Sequence, residues 1–198
     1  MTGWARQAVL AAVVASQPPA ADPSDAFVAR LVAAAVAQTG HQVSYDGSYR
    51  RIGYPGGDVP ATIGVCTDVV VRAYRGAGVD LQQRVHEDMT RAFGAYPRLW
   101  GLSRPDANID HRRVPNLQVY LRRRSAEVGV SRNPGDYVAG DLVTWMLPGN
   151  LPHIGLVTDA RTPDGQRSLI VHNIGNGPVV EDMLFRFPIT GHYRYRGE

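Results

Sequence analysis

The segment Gly64-Val65-Cys66-Thr67-Asp68 contains the only cysteine of the chain, at the point where a helical pattern begins. Apolar residues then recur at helical spacing and predict a helix that ends near Gly78. A thiol attacks only as a thiolate, and a helix N-terminus together with a nearby imidazolium lowers its pKa. We therefore expect Cys66 to be an activated nucleophile with a lowered pKa. Its backbone amide is expected to donate to an oxyanion.

Two histidines follow far downstream in strand-like runs: His153 in His-Ile-Gly-Leu-Val-Thr and His172 in Leu-Ile-Val-His-Asn. Strand alternation places Gly155 on the same face as His153, which leaves room beside the imidazole for a substrate. A general base next to a substrate cleft needs that room. We therefore take His153 as the candidate base.

A histidine base needs a partner that fixes its tautomer and orientation. His172 is the first candidate for this partner, because it lies on the next predicted strand. If Asp164-Gly165 forms a two-residue hairpin turn, however, His172 reaches His153 only diagonally, and Asn176 lies opposite His153. Asn173 and Asn176 therefore stay open as alternative orienting groups.

Three polar residues near these groups are expected to bind substrate: Tyr54, Asp68 and Asn173. Tyr54 lies twelve residues before Cys66, beside a glycine-rich turn, and its phenol would donate to an oxyanion or to substrate. An ordinary loop aromatic is the alternative interpretation of Tyr54.

The order of the predicted elements indicates the fold class. Helices are predicted to begin near Ser24 or Asp25, Cys66, Leu81 and Pro115, and strands at 141–145, 153–158, 168–173, 178–185 and 189–195. Residues 41–63 have a loop-like pattern. Helices followed by strands are typical of an α+β domain, with the helices packed on one side of an antiparallel sheet. We expect a single domain over residues 23–198.

The composition fits a globular protein: 44% of the 198 residues are hydrophobic, 20% are charged, and the formal net charge is +3. This excludes disorder by composition, and the charge is too small to favour nucleic acid. We expect a monomer without a cofactor and without stable membrane insertion. Residues 1–22 resemble a signal peptide and linker, with an apolar run from Ala8 to Ala15. A periplasmic or secreted protein is expected, with a cytoplasmic one as the alternative.

Several segments resemble known bacterial families. The segments Gly64-Val65-Cys66, Gly140-Asp141-Leu142-Val143, His153-Ile154-Gly155-Leu156-Val157 and Val171-His172 resemble landmarks of the NlpC-type peptidases. These are papain-like enzymes that cut cell-wall peptides, and their nucleophile region usually reads Asp-Cys-Ser-Gly. A longer set of segments is similar to the uncharacterised YijF-like proteins: Tyr54-Pro55-Gly56-Gly57-Asp58-Val59-Pro60, Gly64-Val65-Cys66-Thr67-Asp68-Val69, Asp110-His111-Arg112-Arg113-Val114-Pro115-Asn116-Leu117, His172-Asn173-Ile174-Gly175 and Gly191-His192-Tyr193-Arg194.

These two resemblances imply an NlpC-type, papain-like fold. They also imply Cys66 as nucleophile, His153 as base and His172 as the third polar group.

The leading hypothesis is a thiol hydrolase, an amidase or peptidase, that acts on amide bonds in cell-wall peptides. If an amine replaced water as the acceptor, the same groups would catalyse a transferase reaction. One alternative is a catalytically silent binding module, because a lone cysteine is often a small buried hydrophobe and Asp68 would crowd the site. Another is a zinc hydrolase using Cys66, His153, His172 and His192, although no close pair of ligands supports it.

Overall fold

The computed structural model describes residues 22–198. Residues 1–21 of the predicted signal peptide and linker at 1–22 lie outside this described part. The helices are α1 (Pro23–Ala37), α2 (Cys66–Gly76), α3 (Leu81–Ala92) and α4 (Val114–Arg123). The strands are β1 (Ser44–Tyr45), β2 (Ile63–Gly64), β3 (Leu142–Leu147), β4 (Leu151–Arg161), β5 (Ser168–Asn173), β6 (Pro178–Glu181) and β7 (Ile189–Tyr193). Within residues 22–198, no helix combines the length and hydropathy needed to cross a membrane.

The helix boundaries follow local capping chemistry. The Asp22 carboxylate accepts a hydrogen bond from the Ser24 amide at 2.8 Å, and the proline at the start of α1 has no amide that needs a partner. Asp80 caps α3 in the same way, through the amides of Gln82 and Gln83. These starts agree with the sequence pattern because capping depends on neighbours in the chain.

The predicted α+β class and antiparallel sheet are confirmed. Five strands pair in the order β6-β5-β4-β3-β7, and every pair is antiparallel. The sixth strand ends at Glu181, four residues before the predicted Phe185, because Asp182 and the residues after it turn away from the sheet.

The sheet has a separate apolar core on each face. On one face, α1 and α2 pack against β4, and Ile154 and Leu156 join the helix side chains. On the other face, Trp145, Val157 and Ile170 pack with residues from the segment after β6. The sheet is therefore covered on both sides, and polar side chains on either face of β4 and β5 are buried.

The region around residues 41–63, predicted to be loop-like, contributes to a short pair of strands. Strands β1 and β2 form a short parallel pair, with Ser44 opposite Ile63 and Tyr45 opposite Gly64. Two residues are too few to leave an alternating pattern in a sequence. The pair holds Tyr45 beside the start of α2, which begins two residues after Gly64.

Candidate active site

Cys66 is the first residue of α2, and only 3% of its surface is exposed. Because α2 packs on β4, the sulfur reaches the strand backbone, where the Ile154 N–H donates a hydrogen bond to it. The hydroxyl of Tyr45 donates a second hydrogen bond to the sulfur. The thiol thus lies at a helix N-terminus, beside the peptide group that joins His153 to Ile154.

The expected low pKa of the thiol is wrong for this structure. Burial raises the pKa of Cys66 to about 11. The hydrogen bonds from Ile154, Tyr45 and the Thr67 amide oppose this effect, whereas the negative charge of Asp68 adds to it. Burial prevails because it removes the water that would solvate a thiolate.

His153 is buried as well, and burial together with the nearby His172 lowers its pKa to about 3. Its imidazole shares a face of the sheet with Trp145, at 6.0 Å between ring centroids, whereas the neighbouring Ile154 packs toward the helices. Within the described residues, no hydrogen bond joins this imidazole to Cys66. The resting site therefore contains a neutral thiol and a neutral imidazole rather than an ion pair.

A hydrogen-bonded relay extends from His153. Its Nε2 lies 3.0 Å from Nδ1 of His172, and Nε2 of His172 lies 3.0 Å from Oε1 of Glu181. Burial lowers the pKa of His172, and the charge of Glu181 opposes that shift. Of the three orienting groups left open by the sequence, His172 is thus the one that contacts His153.

The register of the β4–β5 hairpin explains how the two histidines meet. Near the turn, Arg161 pairs with Ser168, in agreement with the predicted hairpin, but a bulge then shifts the register, so that Val157 pairs with Ile170. The predicted pairing of Asn176 with His153 is therefore wrong, and His172 lies beside Gly155. A Cβ atom on Gly155 would lie only 2.7 Å from Cγ2 of Ile170. The glycine lets the two strands and the two imidazoles approach closely.

Glu181 was not identified from the sequence. It pairs with Ile170 across β5 and β6, so it lies on the same face as His172 and diagonal to it. The sequence signal was an acidic residue at the end of the strand after the histidine strand. Using that signal requires the register of the β5–β6 hairpin.

The Asp68 side chain forms hydrogen bonds within the protein and does not line the cleft at Cys66. Its carboxylate accepts from the Val65 amide at 2.7 Å and from Nε and Nη2 of Arg112, each at 2.8 Å. The Thr67 hydroxyl donates to the Arg112 carbonyl at 3.0 Å. Thr67 and Asp68 therefore attach the turn at 110–113 to the start of α2. The expectation that Asp68 contacts substrate is corrected accordingly.

The structure does not bring Tyr54 or Asn173 to the thiol. Tyr54 packs against His86, with ring centroids 5.0 Å apart, and is absent from the cleft at Cys66. Tyr45 occupies the position expected for Tyr54. Asn173 is buried, and its Oδ1 accepts from the Gly175 amide in the turn after β5. Neither residue lines the cleft at Cys66.

A cleft of about 490 Å³ opens at Cys66. Its lining includes aromatic and cationic side chains from the segments 45–49 and 100–115, and the residues that precede His153 on β4. The side chains that line it include Tyr45, Tyr49, Cys66, Trp100, Arg112 and Arg113. The site is thus reached from solvent through a pocket that is apolar with a few polar groups, as is common for small-ligand sites.

The four residues of the zinc alternative do not converge. Nε2 of His192 lies 2.8 Å from Asp141, and its Nδ1 lies 3.0 Å from the Gly129 carbonyl, so His192 belongs to a different cluster. Within residues 22–198, no group of three or more His, Cys, Asp or Glu side chains is arranged to hold a metal ion. The zinc hypothesis therefore has no ligand set in this part of the chain.

A family model described as a domain of unknown function, DUF1287, matches residues 32–195. The chain belongs to the DUF1287 family. It is also 52% identical over 158 residues to the protein described as "Uncharacterized protein YijF" from Escherichia coli (strain K12). The alignment covers 80% of this chain and 77% of that protein, which supports the resemblance to YijF-like proteins. No solved structure matches the chain.

The DUF1287 match covers the whole candidate site, from Tyr45 through Cys66 and both histidines to Glu181. Neither comparison names an activity. The function of this DUF1287 domain is therefore argued from the geometry of the site.

Proposed function

We propose that this DUF1287 domain is a cysteine hydrolase that cleaves amide bonds, with Cys66 as nucleophile and His153 as general base. The observation that carries the proposal is the relay from His153 through His172 to Glu181, with 3.0 Å at each step. The relay begins at His153, and the amide of the next residue, Ile154, contacts the thiol.

The relay fixes the tautomers of both imidazoles. An ionised Glu181 only accepts hydrogen bonds, so Nε2 of His172 carries a proton and donates it. Nδ1 of a neutral His172 is then an acceptor, and Nε2 of His153 must be the donor to it. Nδ1 of His153 is left with its lone pair, which is what a general base requires. Burial lowers the pKa of both histidines, which favours neutral rings.

The chemistry follows from these assignments. In the substrate complex, Nδ1 of His153 takes the proton of the Cys66 thiol as sulfur attacks the amide carbon. The Cys66 amide at the start of α2 donates to the oxyanion. The C–N bond breaks as His153 returns the proton to the leaving amine, which gives a thioester. Water then attacks the thioester, His153 carries its proton to sulfur, and the acid product leaves.

The neutral resting pair makes proton transfer part of the attack step, because thiolate is scarce before substrate binds. The proposal requires Sγ and Nδ1 of His153 to come into contact in the substrate complex, where catalytic hydrogen bonds often tighten. The hydroxyl of Tyr45, which already donates to the sulfur, is placed to support the thiolate or the oxyanion.

The resemblance of the segments around Cys66, His153 and His172 to NlpC-type peptidases supports a papain-like arrangement and a cell-wall peptide as substrate. Export through residues 1–22 belongs to the same proposal. A second candidate, a binding module that uses the cleft without catalysis, is favoured by the burial and raised pKa of the thiol.

The deciding experiment is digestion of purified bacterial peptidoglycan by the wild-type protein, Cys66→Ala and His153→Ala, with mass spectrometry of the soluble products. Release of new amine and carboxyl ends by the wild type alone supports the hydrolase. Retention of peptidoglycan binding without any cleavage supports the binding module instead.

A further inference from the structure

Arg113 lines the cleft at Cys66 and is held by an aromatic ring. Its guanidinium carbon lies 4.1 Å from the centroid of the Trp100 ring, within the range of a cation–π contact. Trp100 is 53% exposed and has a backbone φ of 65°, which is uncommon for a bulky residue. The ring orients the guanidinium, but it does not provide hydrogen-bond acceptors for the guanidinium N–H groups.

The guanidinium of Arg113 forms an ion pair with Asp110 but no hydrogen bond within residues 22–198. Among the hydrogen bonds of residues 22–198, none comes from this guanidinium, and its Nη1 is buried without a partner. The closest carboxylate atom is Oδ1 of Asp110, at 3.9 Å from Nη1, which is too long for a hydrogen bond. Burial lowers the pKa of Arg113, and Asp110 and Asp106 oppose that shift. A buried donor without a partner is costly, so the group is prepared for an anionic ligand.

The neighbouring Arg112 shows the contrast. It lines the same cleft, but its guanidinium donates to both oxygens of Asp68 and to the carbonyls of Asp46 and Ser48. Arg112 is therefore a structural residue that holds the turn 110–113 against α2. That turn, attached to α2 through Asp68, carries Arg113 to the cleft.

We propose that Arg113, stacked on Trp100, binds a carboxylate of the substrate, so that the substrate class is peptides with a free carboxylate close to the cleaved amide. The planar guanidinium presents paired N–H donors that match the two oxygens of a carboxylate. This inference rests on the proposed function, because it takes the cleft at Cys66 as the substrate site.

The test uses two alkylating reagents that differ in one group. Iodoacetate carries a carboxylate, and iodoacetamide carries a neutral amide of similar size. The rate of Cys66 alkylation by each reagent is measured by mass spectrometry, and the iodoacetate-to-iodoacetamide ratio is divided by the same ratio for glutathione. We expect this normalised ratio to be about 10, because a charge-assisted hydrogen bond from Arg113 favours the anionic reagent.

Arg113→Gln should bring the normalised ratio close to one, and Arg113→Lys should leave an intermediate value because charge remains without the paired donors. Arg91→Gln is the matched control, since Arg91 is exposed at the end of α3 and does not line the cleft. In the wild type, an excess of propionate should slow alkylation by iodoacetate more than alkylation by iodoacetamide, which tests the site without a variant.

A wild-type ratio near one, a ratio that Arg113→Gln does not change, or the absence of Cys66 alkylation by both reagents would each overturn the inference. These readouts do not depend on catalysis. If peptidoglycan is not digested but the normalised ratio is high, the hydrolase proposal is wrong and the carboxylate site is retained. If peptidoglycan is digested but the ratio is near one, the hydrolase proposal is retained and the carboxylate site is wrong.

Discussion

Two buried histidine sites lie in the same sheet, and a carboxylate anchors each of them. On β5, His172 contacts Glu181, which is partly exposed. On β7, His192 contacts Asp141, whose side chain is fully buried. The two sites have the same residue types at similar distances, but their surroundings differ.

At the His192 site, both nitrogens of the imidazole and both oxygens of the Asp141 carboxylate have partners. The Asp141 carboxylate accepts from His192 at 2.8 Å, from Nε and Nη2 of Arg194 at 2.8 Å each, and from the Val138 amide at 3.0 Å. The other nitrogen of His192 faces the Gly129 carbonyl at 3.0 Å. A histidine with both ring nitrogens engaged can stabilise the fold but has no ring atom left for chemistry.

At the His172 site, the chain of contacts ends on an unused nitrogen. Glu181 orients His172, His172 orients His153, and Nδ1 of His153 has no hydrogen bond within the described residues. The buried thiol of Cys66 lies beside the backbone of Ile154, the residue after His153, and the cleft is lined by Cys66 and by Leu151 and Pro152, which precede His153. The difference indicates that burial and ion pairing alone do not mark a functional histidine. The open end of the network does.

The largest expected effect is on catalysis at the first site. Cys66→Ala and His153→Ala should each lower kcat/KM for peptidoglycan-peptide cleavage by about 10⁴-fold or more, because each removes a group that the attack step requires. The double variant should be no slower than either single variant. Steady-state kinetics with circular dichroism as the folding control tests this, and substantial activity in His153→Ala would remove its role as base.

The second expected effect is on stability at the other site. Asp141→Asn should lower the free energy of unfolding by about 3–5 kcal/mol, since it leaves buried donors of His192 and Arg194 without their charge partner. The activity of the remaining folded protein should be unchanged. Urea unfolding measures the first quantity, and the rate per folded molecule measures the second. Equal losses of stability in Asp141→Asn and Glu181→Gln would contradict the distinction between the two sites.

The third expected effect separates the two carboxylates by function. Glu181→Gln should lower kcat/KM by on the order of 10- to 100-fold, because the amide no longer forces a single tautomer on His172. Its stability should change by less than about 1 kcal/mol, since the side chain is partly exposed. Glu127→Gln, at an exposed acid outside the relay, is the control. A Glu181→Gln enzyme with full activity would show that the relay stops at His172.

The smallest expected effect is the pH dependence of stability. His153 binds a proton in the unfolded chain below pH 6.5, the ordinary pKa, but its folded pKa is about 3, so acid favours unfolding between these values. One such histidine lowers the free energy of unfolding by about 1.4 kcal/mol between pH 7.5 and 5.5. The lowered pKa of Asp141 acts only below the ordinary carboxyl pKa of 3.8.

Urea unfolding of the wild type and His153→Gln across pH 5.5–7.5 checks this prediction. The variant should show a shallower dependence on pH, and Asp141→Asn should show the wild-type slope in this range. Identical slopes for the wild type and His153→Gln would contradict a buried neutral imidazole.

The sequence by itself determined the features that depend on neighbours along the chain. Helix starts at Pro23, Cys66 and Leu81 follow capping and apolar spacing, and the five strands of the sheet follow short strand-like runs between Gly, Pro and Asp-Gly turn signals. Order along the chain also gave the thiol at a helix start and the histidines on adjacent strands. These patterns are local, and local free energies suffice to set them.

Tertiary structure alone decided which side chains meet and which charge states they adopt. The bulge in β4 brought His172 to His153, and the short pair β1–β2 brought Tyr45, rather than Tyr54, to Cys66. Likewise, burial reversed the expected shift of the thiol pKa, because desolvation depends on all the elements packed around the sulfur. A pattern with a period of two or 3.6 residues contains neither a bulge nor the water that a fold excludes.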